Sequence, residues 1–135
     1  MRITVLAVGR LRAPFADDMA HYEKLLSRYT RLDVVEVDDA DRLERRIPER
    51  AHVVVCDSRG EARSSERLAE WLEARRHAGA DLVFVLGGPF GVTLERRHES
   101  LSFGPMTLPF QLARVVLVEQ LYRGHKILAG EPYHY

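Results

Sequence analysis

Apolar residues are concentrated in four short runs separated by longer segments of mixed character. The runs cover Ile3 to Val8, Leu32 to Val37, His52 to Cys56 and Leu82 to Leu86, and each is followed by glycine or aspartate. Runs of this length and composition are typical of β-strands. The first, third and fourth are almost continuously apolar, which is the pattern of strands buried on both faces. We therefore predict a mostly parallel sheet.

Helical spacing of apolar residues marks three of the intervening segments. Pro14 opens the first; Ser64 or Ser65 can cap the second, and Gly79 ends it. The third, Phe110 to Leu128, has a valine-rich centre that would suit a strand, but its length and its polar positions favour a helix. It is apolar nearly all round, so we expect neighbours on more than one side. The spaced apolar positions of the first two helices are Phe15, Met19, Tyr22, Leu25, Leu26, Leu68, Trp71 and Leu72.

Weaker patterns predict three further elements. The aspartates between Asp38 and Asp41 can cap a short charged helix that ends near Pro48. A helix is predicted from about Thr93 to Ser100, followed by a short strand near Phe103 to Met106. Asp57 to Gly60 is predicted to be the turn that ends the third strand.

Strands that alternate with helices predict an α/β fold, with a mostly parallel sheet covered by helices on both faces and one domain over residues 1–135. Ligands of such sheets bind at the carboxyl ends of the strands. Gly9, Asp57, Gly60 and the Gly87-Gly88 pair all follow strand ends. This edge of the sheet is therefore the predicted binding site, although a glycine pair alone is also typical of an ordinary turn.

Charge and composition argue against several classes of function. The chain has 20 Lys and Arg against 20 Asp and Glu, so it has no overall positive field to hold nucleic acid, and any RNA contact must come from local patches. Its single cysteine excludes a multi-thiolate zinc site, and the histidines lack metal-ligand spacing, so we expect no metal. We recognise no signal peptide and no membrane-spanning run, and expect a cytoplasmic protein without membrane contacts.

Several sequence blocks, in the same order, resemble a known family. LGGPFG, LSFGPMTLPFQLARVVLVEQLYRG and the terminal GEPYHY are similar to blocks of the small SPOUT-class methyltransferases that methylate N3 of a pseudouridine in large-subunit ribosomal RNA. The opening ITVLAVGRL also matches that family's first strand and loop. The resemblance spans the chain and is strongest from Leu82 to His134.

The resemblance implies a C-terminal trefoil knot, S-adenosylmethionine as cofactor, and a homodimer that acts on ribosomal RNA or the ribosome. Glycines would let backbone amides approach the cofactor, and apolar side chains would hold its adenine ring. Cys56, which ends a buried strand, is expected to be an apolar wall and not a nucleophile. By position, the cofactor-binding residues implied are Cys56, Gly87, Phe103, Gly104, Pro105, Met106, Thr107 and Leu108.

The acceptor N3 carries a weakly acidic proton, so a group must remove it or stabilise the resulting anion. Tyr133 and His134, in the tail that matches the family, are the first candidates for catalysis, and Arg114 is a third. A terminal Tyr-His pair in an arbitrary protein is more often a packed or frayed end. The candidate RNA-binding residues are Arg10 and Arg12, after the first strand, and Arg123, which could instead pair with Glu119 on the same helix.

Two departures from the family pattern bear on function. Phe110 stands where the family usually has histidine, and the segment from Asp38 to Ala51 is shorter than usual. Gly124, where alanine is usual, should cost the long helix about 1 kcal/mol of propensity. We therefore keep two alternatives to the rRNA enzyme: a non-catalytic ribosome-binding or assembly factor with the same fold, and a methyltransferase for another RNA such as tRNA.

Overall fold

The computed structural model describes residues 1–88, 92 and 94–133. Its strands are β1 (Arg2–Val8), β2 (Arg31–Val37), β3 (His52–Ala62), β4 (Leu82–Leu86) and β5 (Glu99–Ser102). Its α-helices are α1 (Phe15–Leu26), α2 (Ser65–Ala78) and α3 (Phe110–Leu128). The charged segment after β2 forms two 3₁₀ turns, Ala40–Arg42 and Glu44–Arg46, where a short helix was predicted.

The five strands form one parallel sheet in the order β2-β1-β4-β3-β5. The predicted α/β class and parallel sheet are thus confirmed. Strand β4 lies between β1 and β3, with Val5 and Val54 both opposite Phe84. The carboxyl ends of these three strands therefore meet at one edge of the sheet, where the sequence predicts a site.

The two faces of the sheet are covered differently. Alternate residues of a strand point to opposite faces, so Val54 and Phe84 pack in the cluster that includes the three α-helices, while Val53 and Val83 pack in a second cluster. The three α-helices cover the first face. Short segments close the second, through Leu43, Ile47, Ala51 and Leu94.

Helix α3 packs against both α1 and α2, as its apolar surface predicts. Leu117, Val118 and Leu121 are fully buried at its centre. A Cβ on Gly124 would lie 2.7 Å from Cδ1 of Leu72 on α2. The glycine thus allows a close approach of the two helices, which offsets its low helix propensity.

The predictions for residues 93–106 are wrong in this structure. Residue 93 lies outside the described residues, those from Leu94 to His98 form no helix, and the strand is Glu99–Ser102, before the predicted Phe103–Met106. Its hydrogen bonds to β3 override the weak helical pattern. The predicted turn at Asp57 to Gly60 lies inside β3, where the pairing with β5 is irregular between Cys56 and Glu61.

A group of polar side chains links β5 by hydrogen bonds to β3, to α2 and to the segment between them. The Glu99 carboxylate accepts hydrogen bonds from His52 Nε2, from Trp71 Nε1 at 2.9 and 3.0 Å, and from Arg63 Nη2 at 2.7 Å. Burial alone would raise the pKa of Glu99, but these bonds favour the ionised form and the pKa is lowered. Since β5 leads directly into residues 103–108, the network helps to position the predicted cofactor segment.

Gly60 offers a test of the contact between β3 and β5. A Cβ there would lie 2.6 Å from the carbonyl carbon and oxygen of Ser100, backbone atoms that cannot rotate away. We expect Gly60→Ala to lower the free energy of unfolding by about 1 to 3 kcal/mol. Urea titration at constant m-value measures the loss. Gly124→Ala is the matched comparison, because the only atom that its methyl group would crowd is the end of the Leu72 side chain, while the Ala69 backbone lies at an ordinary contact distance of 3.7 Å. An equal loss in both variants would contradict the backbone contact.

The Glu99 network predicts a dependence of stability on pH. Because the folded pKa of Glu99 is lowered, its stabilisation is complete above its ordinary value of 4.5 and is lost as the pH falls through the folded pKa. The difference in unfolding free energy between the wild type and Glu99→Gln should therefore be constant from pH 6 to about 5 and shrink toward pH 3. Urea titrations across this range measure it. A difference that grows on acidification would contradict the assignment.

Candidate functional site

A cavity of about 300 Å³ opens at the carboxyl edge of the sheet. Its walls come from the ends of β3 and β4, the loop after β5 and the first turn of α3. The volume is within the range of small-molecule sites, and polar and apolar groups share the lining. The lining residues are Cys56, Asp57, Ser58, Arg59, Leu86, Gly87, Gly88, Val92, Phe103, Gly104, Met106, Thr107, Leu108, Phe110 and Ala113.

Seven of the eight predicted cofactor residues lie in this lining, and Pro105 does not. They reach the cavity because Cys56 in β3, the end of β4 and the segment that follows β5 all lie at the same side of the sheet. Residues 89–91 of the LGGPFG block lie outside the described residues. Met106 is 78% exposed on the rim, an unusual position for a large apolar side chain. The cavity therefore has an apolar edge open to solvent.

The Ser102 hydroxyl joins two walls of the cavity. Ser102 is buried, and its Oγ lies 3.1 Å from the Ser58 carbonyl oxygen and 3.0 Å from both the amide and the carbonyl oxygen of Gly104. Gly104 has a φ of +115°, which disfavours other residues. The hydroxyl accepts from the Gly104 amide and can donate to either carbonyl, so it holds the part of β3 after Cys56 beside the loop after β5.

The buried side chain of Arg114 hydrogen-bonds to the backbone at the start of the loop after β1. Its side chain is 1% exposed; Nη1 donates to Glu36 Oε2 at 2.6 Å, and Nη2 donates to the Val8 and Gly9 carbonyl oxygens at 3.3 and 3.0 Å. Glu36 also accepts from the Leu11 amide at 2.8 Å. These contacts make Arg114 a positioning residue, and its direct part in catalysis stays a prediction.

The loop supported by Arg114 carries both predicted RNA-binding arginines of the N-terminal part. Arg10 and Arg12 are exposed. Their backbones are held by Gln111, which accepts from the Arg12 amide at 2.9 Å and donates to the Arg10 carbonyl at 3.3 Å. Both residues lie outside the cavity lining but beside it, because β1 is adjacent to β4.

Phe110 fills the position where histidine was expected. It lines the cavity at the start of α3, and its ring lies next to Gly9, where an added Cβ would be 3.7 Å from Cε2. An aromatic ring contributes apolar surface but no hydrogen bond here. The cavity wall is thus more apolar in this chain than an imidazole would make it.

Tyr133 lies away from the cavity of its own chain. Its hydroxyl donates to Glu119 Oε2 at 2.9 Å, and the Arg123 guanidinium lies 4.1 Å from its ring centroid. Glu119 is six residues beyond Ala113, the last residue of α3 in the cavity lining, which is about 9 Å along the axis. Burial, followed by the Glu119 contact, raises the pKa of Tyr133. His134 lies outside the described residues.

The charges at the cavity are arranged around Asp57. Burial raises the pKa of the Cys56 thiol to about 12, so the thiol is neutral. The hydrogen bonds from Arg59 lower the pKa of Asp57, with smaller contributions from the charges of Arg59 and Arg97. Asp57 is therefore ionised at neutral pH.

Neither metal ligands nor a membrane helix is found in the part of the chain that the structure describes. Among residues 1–88, 92 and 94–133, no three His, Cys, Asp or Glu side chains are placed together so that they could hold a metal ion. No helix in these ranges is long and apolar enough to cross a membrane.

The chain belongs to the SPOUT methyltransferase family. The family model described as "Predicted SPOUT methyltransferase" matches residues 1–134, which agrees with the resemblance of the sequence blocks. Membership of this family implies a methyl-donor cofactor.

Curated relatives extend over nearly the whole chain. The chain is 45% identical over 155 residues to "Ribosomal RNA large subunit methyltransferase H" of Rubrobacter xylanophilus, with 99% of this chain and 98% of that protein covered. It is 39% identical over 153 residues to the protein of the same name from Gemmatimonas aurantiaca, with 99% of each covered. The protein of that name from Acetivibrio thermocellus is also 39% identical, over 158 residues.

A solved structure supports the fold alone. It is described as "Structural insights into the 2-OH methylation of C/U34 on tRNA" and superposes with a TM-score of 0.53 at 19% identity. The similarity covers 96% of this chain and 98% of that one. At this identity it carries no information about the substrate of the present chain.

Sequence reasoning overlooked several residues around the cavity. Asp57 was placed at the ligand-binding edge but given no role, and Arg59 was treated only as part of a turn. Ser102 was not singled out, because a lone serine in a short segment carries no local signal. An Asp-x-Arg sequence directly after a buried strand was the signal available for the first two.

The high pKa of Cys56 predicts a slow reaction with alkylating agents. With a pKa of about 12, only about one thiol in ten thousand is ionised at pH 8. We expect iodoacetamide to label the folded protein at least a hundredfold more slowly than the protein unfolded in guanidinium, as followed by mass spectrometry. The unfolded sample at the same pH is the control. Equal rates would show that the thiol is exposed and ionised as in a free chain.

Proposed function

We propose that this protein is an S-adenosylmethionine-dependent methyltransferase that methylates N3 of a pseudouridine in large-subunit ribosomal RNA. The observation that carries the proposal is the agreement of two findings. Relatives named as large-subunit rRNA methyltransferases match 99% of the chain, and seven of the eight expected cofactor residues line one cavity.

The cavity suits an adenosyl cofactor. Phe103 and Leu108 supply apolar surface for an adenine ring, and the backbones of Gly87 and Gly104 can approach a ligand closely. When bound, S-adenosylmethionine supplies an electrophilic methyl group. The residues of this chain have to position cofactor and acceptor in line and to exclude water. No metal is needed for such a transfer.

The acceptor must lose its N3 proton as the new N–C bond forms. Tyr133 and His134 are the proposed catalytic pair of the tail. Because its pKa is raised by burial and by Glu119, Tyr133 keeps its proton. Its hydroxyl donates that proton to Glu119 in the free chain and would exchange this hydrogen bond for one to the acceptor. Within this pair, we therefore assign proton acceptance to His134 and stabilisation of the acceptor oxygen to Tyr133.

A homodimer is part of the proposal, and the position of the tail supports it. Tyr133 packs near Glu119 and Arg123, beyond the part of α3 that lines the cavity of its own chain. A second copy could bring its tail to that cavity. Leu112 and Val116 are half-buried apolar residues on α3, at a spacing of four, and Ile127 is 39% exposed. We propose that this stripe forms part of the dimer contact.

The remaining features of the proposal rest on the resemblance of the sequence to the family. They are the trefoil knot, a single domain over residues 1–135, a cytoplasmic location and contacts of Arg10, Arg12 and Arg123 with RNA. The balanced charge of the chain favours a substrate that supplies shape contacts, such as an assembled ribosome, over naked RNA held by a positive field. A tRNA substrate and a non-catalytic ribosome factor are the alternatives.

Cofactor binding and methyl transfer test the proposal together. We expect the wild type to bind S-adenosylhomocysteine in calorimetry, to be dimeric in sedimentation, and to transfer a labelled methyl group to ribosomes from a strain lacking the enzyme. Gly87→Trp fills the cavity and should abolish cofactor binding. Removal of residues 133–135 should spare cofactor binding but abolish transfer.

The outcomes separate the alternatives. Transfer to tRNA but not to ribosomes would establish the other substrate. Binding to ribosomes without transfer would establish the non-catalytic factor. Full activity without residues 133–135 would exclude the tail from catalysis, and far-UV circular dichroism of both variants shows whether they are folded.

A further inference from the structure

Arg59 is an exposed arginine held in a defined orientation at the mouth of the cavity. Its side chain is 85% exposed, yet its Nε and Nη2 donate to the two carboxylate oxygens of Asp57 at 3.3 and 3.1 Å. The Asp57 side chain is only 16% exposed and also accepts from the Arg59 amide at 3.0 Å. A guanidinium has five N–H donors in a rigid fork, and these contacts use two of them.

The part of β3 that carries this pair is held in place on both sides. The carbonyl oxygen of Ser58 lies 3.1 Å from the buried hydroxyl of Ser102. One residue beyond Arg59, the backbone of Gly60 packs so closely on Ser100 that a side chain would clash. Arg59 is therefore fixed between two backbone contacts, in contrast to an arginine on a free loop.

The local charge favours an anion. The charge of Arg97 also acts on Asp57, although more weakly than Arg59 does, so two positive charges act on one carboxylate. The cavity lining has Asp57 and Arg59 as its charged residues among the described ones. An arginine whose side chain is already oriented loses less conformational entropy when it binds a second group. Planar guanidinium groups match the paired oxygens of phosphates and carboxylates.

We propose that Arg59, oriented by Asp57, binds a backbone phosphate of the RNA substrate at the mouth of the cavity. The proposal rests on the proposed function, because it names a contact of the same site. The cofactor carboxylate has similar chemistry, but it would be held inside the cavity, whereas Arg59 is almost wholly exposed. Asp57 is a positioning residue in this arrangement, since it acts on the RNA through Arg59.

The test compares Arg59→Gln, Arg59→Lys and Asp57→Asn with the wild type and with Arg28→Gln. Arg28 is an exposed residue after α1, just before β2 begins, and so lies at the opposite edge of the sheet. The measurements are the KM for ribosomes and kcat of methyl transfer, the Kd for S-adenosylhomocysteine, and the salt dependence of ribosome binding. All five proteins are assayed as full chains.

We expect Arg59→Gln to raise the KM for ribosomes about tenfold, the effect of one charge-assisted contact, with kcat and cofactor Kd within about twofold of the wild type. The slope of log affinity against log salt should fall by about 1. Arg59→Lys should restore the slope but only part of the KM. Asp57→Asn should raise KM less than Arg59→Gln, and Arg28→Gln should behave as the wild type.

Other results would overturn the proposal. A tenfold weaker cofactor Kd with an unchanged KM in Arg59→Gln would assign the guanidinium to the cofactor carboxylate. An unchanged KM and salt slope would show that Arg59 contacts neither. If the wild type binds ribosomes but transfers no methyl group, the proposed activity is wrong, and the salt dependence of ribosome binding still tests the role of Arg59. If the wild type binds no ribosomes, both the proposed activity and the proposed role of Arg59 are wrong.

Discussion

Strand β4 hydrogen-bonds in parallel to β1 on one side and to β3 on the other, and the location of the candidate site depends on this pairing. Because parallel strands end at the same edge, Cys56 and Gly87 meet although 30 residues separate them in the sequence. Strand β5 extends the sheet beyond β3 and delivers residues 103–108 to the same edge. A single cavity can then be built from segments that are far apart in the chain.

The arginines near this edge have different physical roles. Arg114 is almost fully buried and donates hydrogen bonds to Glu36 and to the backbone carbonyls of Val8 and Gly9. Arg59 is almost fully exposed and is oriented by one carboxylate. Burial makes the first a support for the backbone, whereas exposure and orientation equip the second to bind an anion. Sequence reasoning favoured Arg114 because it closely follows the cofactor segment.

Phe110 stands where the resemblance to the family predicts a histidine. The structure shows where the departure acts: the ring lines the cavity and packs beside Gly9. Loss of an imidazole removes a polar group from the wall without opening a gap. Gly124, the other unusual residue of α3, is explained by the close approach of Leu72, a reason that helix propensity alone does not contain.

The local sequence was sufficient to predict four strands and three α-helices, because periodicity and strand-ending glycines depend on near neighbours. The predicted cofactor residues came from the resemblance to the family, and seven of them line the cavity. It failed from residue 93 to 106, where pairing with β3 outweighs a weak helical pattern. The roles of Ser102 and Arg114 were decided only by the tertiary structure. Their contacts join residues that are distant in the chain, such as Ser102 with Ser58 and Arg114 with Gly9, and long-range pairing of this kind leaves no periodic trace in the sequence.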